Sequence, residues 1–270
     1  MDGMTTRAAE APAAPADPAA HLAAALAAGG TGLRLDLQPI CAATSLAPVG
    51  YEALLRWDHP ELGPVPPIEA FSIAEASGQL LALEAWALVQ AFRLRAAWPA
   101  GGPFLAVNVS AAGMQGGHAA AMVRAALEAT GANPRGIVLE LPEAAVAQDI
   151  GAARDLAAQL RGLRAAVALD DFGGLHGAAR LLRDIPFAMV KLDAALTDGM
   201  DGEGPAASRT RALTAAVVDL VHAMGATVTA EAVETAAQMR ALRDAGCDAL
   251  QGWLLGRPEA AGTRAQPQRT

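Results

Sequence analysis

Cysteine, aromatic residues and long hydrophobic runs are all scarce in this 270-residue chain. Its two cysteines, Cys41 and Cys247, stand far apart without metal-ligand spacing, which argues against a disulfide scaffold or a thiolate zinc site and fits a reduced cytoplasm. Aromatics make up 4 % of a sequence that is 53 % hydrophobic, so the core must be built from Ala, Leu and Val, with helices packed closely through small side chains. That apolar content excludes disorder of the whole chain. No stretch reaches the eighteen or so uninterrupted apolar residues of a membrane helix, because Arg, Asp, Glu or Pro breaks every Ala-rich run. The first residues lack the basic segment, apolar run and cleavage site of a secretory signal, so no membrane partner is expected. Basic residues are outnumbered: 20 Lys and Arg face 28 Asp and Glu, leaving a formal charge of −8. A polyanion such as DNA or RNA is therefore an unfavourable partner, although local cations or metals still admit a small phosphorylated ligand.

What is present points to one domain. Residues 1–30 are Ala/Pro-rich and read as a disordered lead-in containing one short helix, capped by Asp17 with Pro18 behind it. Residues 261–270 offer nothing to bury and read as a disordered tail. Between them, over 31–260, eight short apolar or β-branched runs alternate with longer amphipathic segments, the pattern of a parallel sheet covered by helices. Most of these runs end in an acid, amide or amine: Glu52, Asn108, Glu140, Asp170 with Asp171, Lys191, Glu231 and Gln251. A single acid at a strand end is usually solvated or caps the next helix. A set in one register is different, because a β/α barrel gathers its C-terminal strand ends on one face. Such acids repel one another unless a cation intervenes. Oxygen ligands favour a hard divalent ion, and the adjacent Asp170 and Asp171 could share two, with Lys191 beside an attacking water.

The same residues lie in motifs that resemble those of the EAL family of cyclic di-GMP phosphodiesterases. Tyr51-Glu52-Ala53-Leu54-Leu55-Arg56-Trp57 resembles the eponymous signature. It follows Gln38-Pro39-Ile40 and precedes Val107-Asn108-Val109-Ser110, Glu140-Leu141-Pro142-Glu143, Asp170-Asp171-Phe172-Gly173, Val190-Lys191-Leu192-Asp193, Ala230-Glu231-Ala232-Val233-Glu234-Thr235 and Gln251-Gly252 in the family's order. The resemblance implies a modified TIM-type (β/α)8 barrel with an antiparallel first strand. It implies hydrolysis of cyclic di-GMP to linear pGpG with two Mg2+ or Mn2+ ions. Glu52, Asn108, Glu140, Asp170, Asp171 and Glu231 match metal ligands, and Lys191 acts with Glu52 and Asp170 in catalysis. Gln38, Leu54, Arg56, Asp193 and Gln251 match positions that meet the substrate. Glu143 and Glu234 match residues that support the ligands or anchor a loop, and a homodimer is the implied assembly.

The sequence departs from the family pattern after Asp171. Where the family has Thr-Gly-Tyr-Ser-Ser, this chain has Gly174-Leu175-His176-Gly177-Ala178, so the hydroxyls of the serine pair are missing and two glycines raise the entropy cost of ordering the loop. His176 is either a substitute ligand or base, or a solvated loop histidine. Pro142, Ala232 in place of glycine, and Ala194-Ala195 are smaller departures. The alternative function is accordingly a weak or inactive EAL domain serving as a cyclic di-GMP receptor or protein-interaction module.

Overall fold

A computed structural model describes residues 17–59, 61–173 and 179–261. The lead-in over 1–16, the tail beyond 261 and the loop 174–178 with His176 lie outside the described residues.

Ten strands form one sheet: β1 (Leu33–Ala42), β2 (Pro48–His59), β3 (Gly63–Val65), β4 (Phe104–Asn108), β5 (Ile137–Pro142), β6 (Ala166–Phe172), β7 (Met189–Leu192), β8 (Thr227–Ala230), β9 (Ala249–Leu250) and β10 (Glu259–Ala260). From β2 through β4 to β9 each strand pairs in parallel with the next, whereas β1 is antiparallel to both β2 and β9 and so closes an eight-stranded barrel. The fold expected from the sequence, a modified (β/α)8 barrel with an antiparallel first strand, is the one observed. β3 and β10 are short arms added to β2 and β1. At three and two residues they are too short for alternation to reveal them in a sequence.

Period-two alternation sets the barrel's contents. Ile40, Ala106, Val138, Ala168, Met189 and Ala249 form one buried cluster inside the lumen. Two residues further along the strands lie Asn108, Glu140, Asp170, Lys191 and Gln251, which share the inward face of their plug residue. β1 runs the other way, so its inward polar residue, Gln38, precedes its plug residue Ile40 and stands opposite Glu52 of β2. The apolar layer, rich in alanine, plugs the barrel, and the polar layer sits on top of it.

A larger cluster of Leu, Val and Ala, including Leu105, Val123, Leu139, Leu156, Val190 and Val228, lies between the strands and the surrounding helices. Helix α1 (Pro18–Ala27) begins as expected, with Asp17 Oδ1 accepting from the Ala19 N–H at 3.0 Å. It packs on the barrel: Leu22 is buried with Leu55, Trp57 and Leu83. The amphipathic stretch over 67–98 forms two helices, α2 (Pro67–Ala76) and α3 (Leu80–Ala96). Gly78, at φ 72°, breaks them apart in a left-handed turn that glycine adopts without strain. Among the described residues no helix is long and apolar enough to cross a membrane.

Candidate functional site

The C-terminal mouth of the barrel holds a carboxylate cage around one amine. Lys191 Nζ, on a side chain only 1 % exposed, lies 2.7 Å from Glu231, 3.1 Å from Glu140, 3.2 Å from Asp170 and 3.4 Å from Glu52. Five strands therefore deliver one cation and four acids to one point. Lys191 is the only lysine in the chain, whose other basic residues are all arginine. A compact ammonium with three donors fits at the centre of four carboxylates, where a planar guanidinium would not.

Neutral amides orient the rim. Asn108 Nδ2 donates to Glu52 Oε1 at 2.7 Å, and Gln251 Nε2 donates to Glu52 Oε2 at 2.7 Å and to Gln38 Oε1 at 3.2 Å. Gln38 in turn donates to the Gly256 carbonyl at 3.2 Å. Both oxygens of Glu52 are thus fixed, and its pKa stays below the usual value because Lys191, Gln251 and Asn108 together outweigh the opposing effect of burial. Glu140 is raised well above its usual range, first by burial and then by Glu52, Asp170 and Glu231, although Lys191 pulls the other way. Burial lifts Glu231 to about 7, aided by Asp170 and Glu52. Lys191 is held well above the ordinary lysine value because its four carboxylates overcome the burial that would lower it.

The donor set fits a hard divalent cation. Carboxylate oxygens of Asp170, Asp171 and Glu231 lie within 4.8 Å of one another. Apart from the shared Lys191 ammonium, no donor from the described residues reaches Glu140, which is 0 % exposed, or Oδ1 of Asp170. Four buried acids that share one lysine are under-compensated, and a divalent cation would satisfy them. Asp171 is exposed at φ 57°, and burial, Asp170 and Asp193 raise its pKa. A non-glycine residue in the left-handed region beside a functional cluster is strained in a way that the surrounding structure must enforce.

The other expected residues lie around this cage. Leu54 lines a hollow of about 510 Å³ together with Asn108, Pro142, Phe71 and Glu84. On the opposite flank Gln38, Glu52, Asp193, Glu231, Glu234 and Gln251 line a second hollow of about 360 Å³. Asp193 also caps the helix Ala194–Thr197, accepting from the Ala195 N–H at 2.6 Å. Glu234 is exposed and forms no ion pair with the cage lysine. Glu143 Oε2 accepts from the Gly173 N–H at 2.9 Å, so it holds the start of the loop that follows β6. Arg56 is not at the cage: its Nε donates to Asp36 Oδ2 at 3.1 Å and its Nη1 to the Leu55 carbonyl at 2.9 Å.

Two participants escape a reading of the sequence. Asp36 lies between Arg56 and Arg34, which face each other across β1 and β2, and an acid there removes the repulsion. Glu84, 4 % exposed, accepts the Ser110 N–H at 2.6 Å and so braces the turn just after Asn108. Its signal was present, because an acid falls in the apolar phase of Leu80, Leu83, Ala87 and Leu88 on α3. Ala232 sits at φ 53°, where the glycine of the family pattern would be unstrained.

Residues 20–258 match the family model described as EAL domain. The chain belongs to the EAL domain family. It is 33 % identical over 234 residues to the bifunctional diguanylate cyclase/cyclic di-GMP phosphodiesterase MucR of Pseudomonas aeruginosa, covering 85 % of this chain and 33 % of that protein. It is 33 % identical over 229 residues to a cyclic di-GMP phosphodiesterase of the same organism, covering 84 % of this chain and 38 % of the relative. An uncharacterised protein of Mycobacterium tuberculosis is 36 % identical over 224 residues, with coverage of 81 % and 73 %. Relative to MucR, this EAL domain spans about a third of the length. A solved structure of the MucR phosphodiesterase in complex with c-di-GMP superposes with a TM-score of 0.81 at 31 % identity, covering 91 % of this chain and 98 % of that one. EAL domains are in general divalent-metal dependent, and the acidic cluster suits that dependence.

Proposed function

We propose that this EAL domain hydrolyses cyclic di-GMP to linear pGpG with Mg2+ or Mn2+ held by Glu52, Asn108, Glu140, Asp170, Asp171 and Glu231. One observation carries the reading: the chain's only lysine is buried among four carboxylates at the barrel mouth, between two hollows. A cyclic dinucleotide has two bases and two phosphates related by pseudo-twofold symmetry. A hollow on each flank gives each base a place, with one phosphate over the cage. A divalent ion bound there supplies neutralisation of phosphate charge and a more acidic water.

The chain's own residues do the rest. Lys191, surrounded by the ligand carboxylates, is placed to orient the water by donating to it. The proton released passes to a carboxylate of the cage, and Asp170 and Glu52, at 3.2 and 3.4 Å from Lys191, are the two assigned that part. Asn108 and Gln251 hold Glu52 so that no reorientation is needed during reaction. Arg56, aimed by Asp36, offers the remaining nitrogens of its fork to the second phosphate. Leu54 supplies an apolar wall for one base, while Gln38 and Asp193 supply polar edges for the other.

The test is incubation of purified protein with cyclic di-GMP and manganese, with product resolved by chromatography. Linear pGpG is expected, and absence of product above a Glu52→Ala control overturns the hydrolytic reading. The sequence of 174–178 favours a second reading, because it lacks the hydroxyls found in the family's loop. Saturable binding of cyclic di-GMP in calorimetry without turnover would support this receptor or interaction role. A homodimer and a cytoplasmic setting accompany the proposal, the latter consistent with two buried free thiols.

A further inference from the structure

The opposite end of the barrel carries an unmatched positive charge. Arg95, in the last turn of α3, is 3 % exposed, forms no ion pair with any described residue, and its Nε has no acceptor. It lines a cavity of about 380 Å³ together with Arg135, Asn133, Phe104 and Val49. This cavity lies at the starts of β2, β4 and β5, remote from the cage at the strand ends. It has no acidic lining residue, in a chain where acids outnumber bases.

The burial of Arg95 is built into the sequence. A Cβ on Gly136 would stand 2.0 Å from Arg95 Nε and 2.5 Å from Nη2. Gly136 is not among the residues at positive φ, so close approach of the guanidinium, and not backbone conformation, is what calls for glycine there. The Arg95 Nε is shut off from water without an acceptor, its terminal nitrogens have no counter-charge among the described residues, and an arginine stays protonated. An anion in the cavity resolves both facts. The planar fork of Arg95 matches phosphate oxygens, and Arg135 at the exposed rim adds a second cation. Phe104 and Val49 form an apolar wall, and the volume exceeds the need of a bare phosphate.

We propose that this N-terminal mouth is a second ligand site, for a phosphomonoester dianion gripped by Arg95 and Arg135. The site does not depend on hydrolysis at the cage and can be tested without divalent ions. Isothermal titration calorimetry in EDTA is run with two probes, inorganic phosphate and 5′-GMP, at ionic strength matched by chloride. Saturable binding is expected for at least one probe. If inorganic phosphate binds, the free ion suffices; if only 5′-GMP binds, the site requires the organic group as well. Arg95→Met keeps the side chain's length and helix propensity and should weaken binding roughly ten- to hundredfold, the loss expected for charge-assisted hydrogen bonds. Arg135→Ala, at the exposed rim, puts no folding at risk and should weaken binding in the same direction. No saturable binding of either probe, or equal affinity in wild type and Arg135→Ala, overturns the proposal.

Discussion

Replacing Lys191 by methionine should expose how much the cage depends on its single amine. The side chain is 1 % exposed and lies within 2.7 to 3.4 Å of four acids, so methionine fills the volume but leaves those acids without a counter-charge. Removing one partner of a buried pair costs about 3–5 kcal/mol. For a chain of this size each kcal/mol moves the melting temperature by roughly 2–4 °C, so a fall of about 6–20 °C is expected in EDTA at pH 8. The sign of the pH dependence follows from the acids. Without Lys191 the folded-state pKa values of Glu140 and Glu231, already raised, rise further above the unfolded values, so the native state binds more protons, and stability is lost as pH rises through those folded values. Glu231, lifted to about 7 even with Lys191 present, extends that loss from the ordinary carboxylate range to above neutrality in the variant. The deficit should therefore shrink on going from pH 8 to pH 5. Manganese should restore part of it, by about 2.7 kcal/mol at a hundredfold excess over its dissociation constant. Scanning calorimetry at both pH values, with and without the ion, provides the measurement. A variant that melts with the wild type at pH 8 in EDTA, or a deficit that is the same at pH 5, would refute the electrostatic account.

Because Lys191 is the sole lysine, protein labelled with 13Cε-lysine should show one side-chain resonance. That resonance should remain in its charged position past the ordinary lysine midpoint of about 10.4, and titration at or below that value would contradict the cage's effect. Ala232→Gly should relieve a left-handed residue costing about 1–2 kcal/mol, offset by about 0.5–1 kcal/mol of added unfolded-state entropy. A melting temperature raised by a few degrees is the expected outcome, and a lower one counts against strain at that position. Asp36→Ala should release Arg56 and raise KM for cyclic di-GMP more than it lowers kcat, because Asp36 aims a binding group and touches no cage atom. Steady-state kinetics would show the opposite split if Arg56 acted mainly in the transition state.

Much of the barrel is legible in the sequence. Eight alternating runs announce its strands, and the inward register of Asn108, Glu140, Asp170, Lys191 and Gln251 agrees with their position two residues beyond a buried apolar residue on each strand. The split at Gly78 and the arms β3 and β10 were missed because a helical phase continues across one glycine and because two or three residues carry no period. The docking of α1 through Leu22 was missed because an Ala-rich amphipathic turn looks the same whether or not a barrel lies beside it.

The sequence by itself determined which residue types meet: strand alternation is a local property of the backbone, and chain closure brings equal registers together. Only the tertiary structure decided the pairings. That Lys191 serves four acids at once, that Asp36 claims Arg56, and that Arg95 is buried against Gly136 without a counter-charge all depend on distances between segments far apart in the chain. Electrostatic energy depends on those distances and on burial, neither of which is carried by a residue's name.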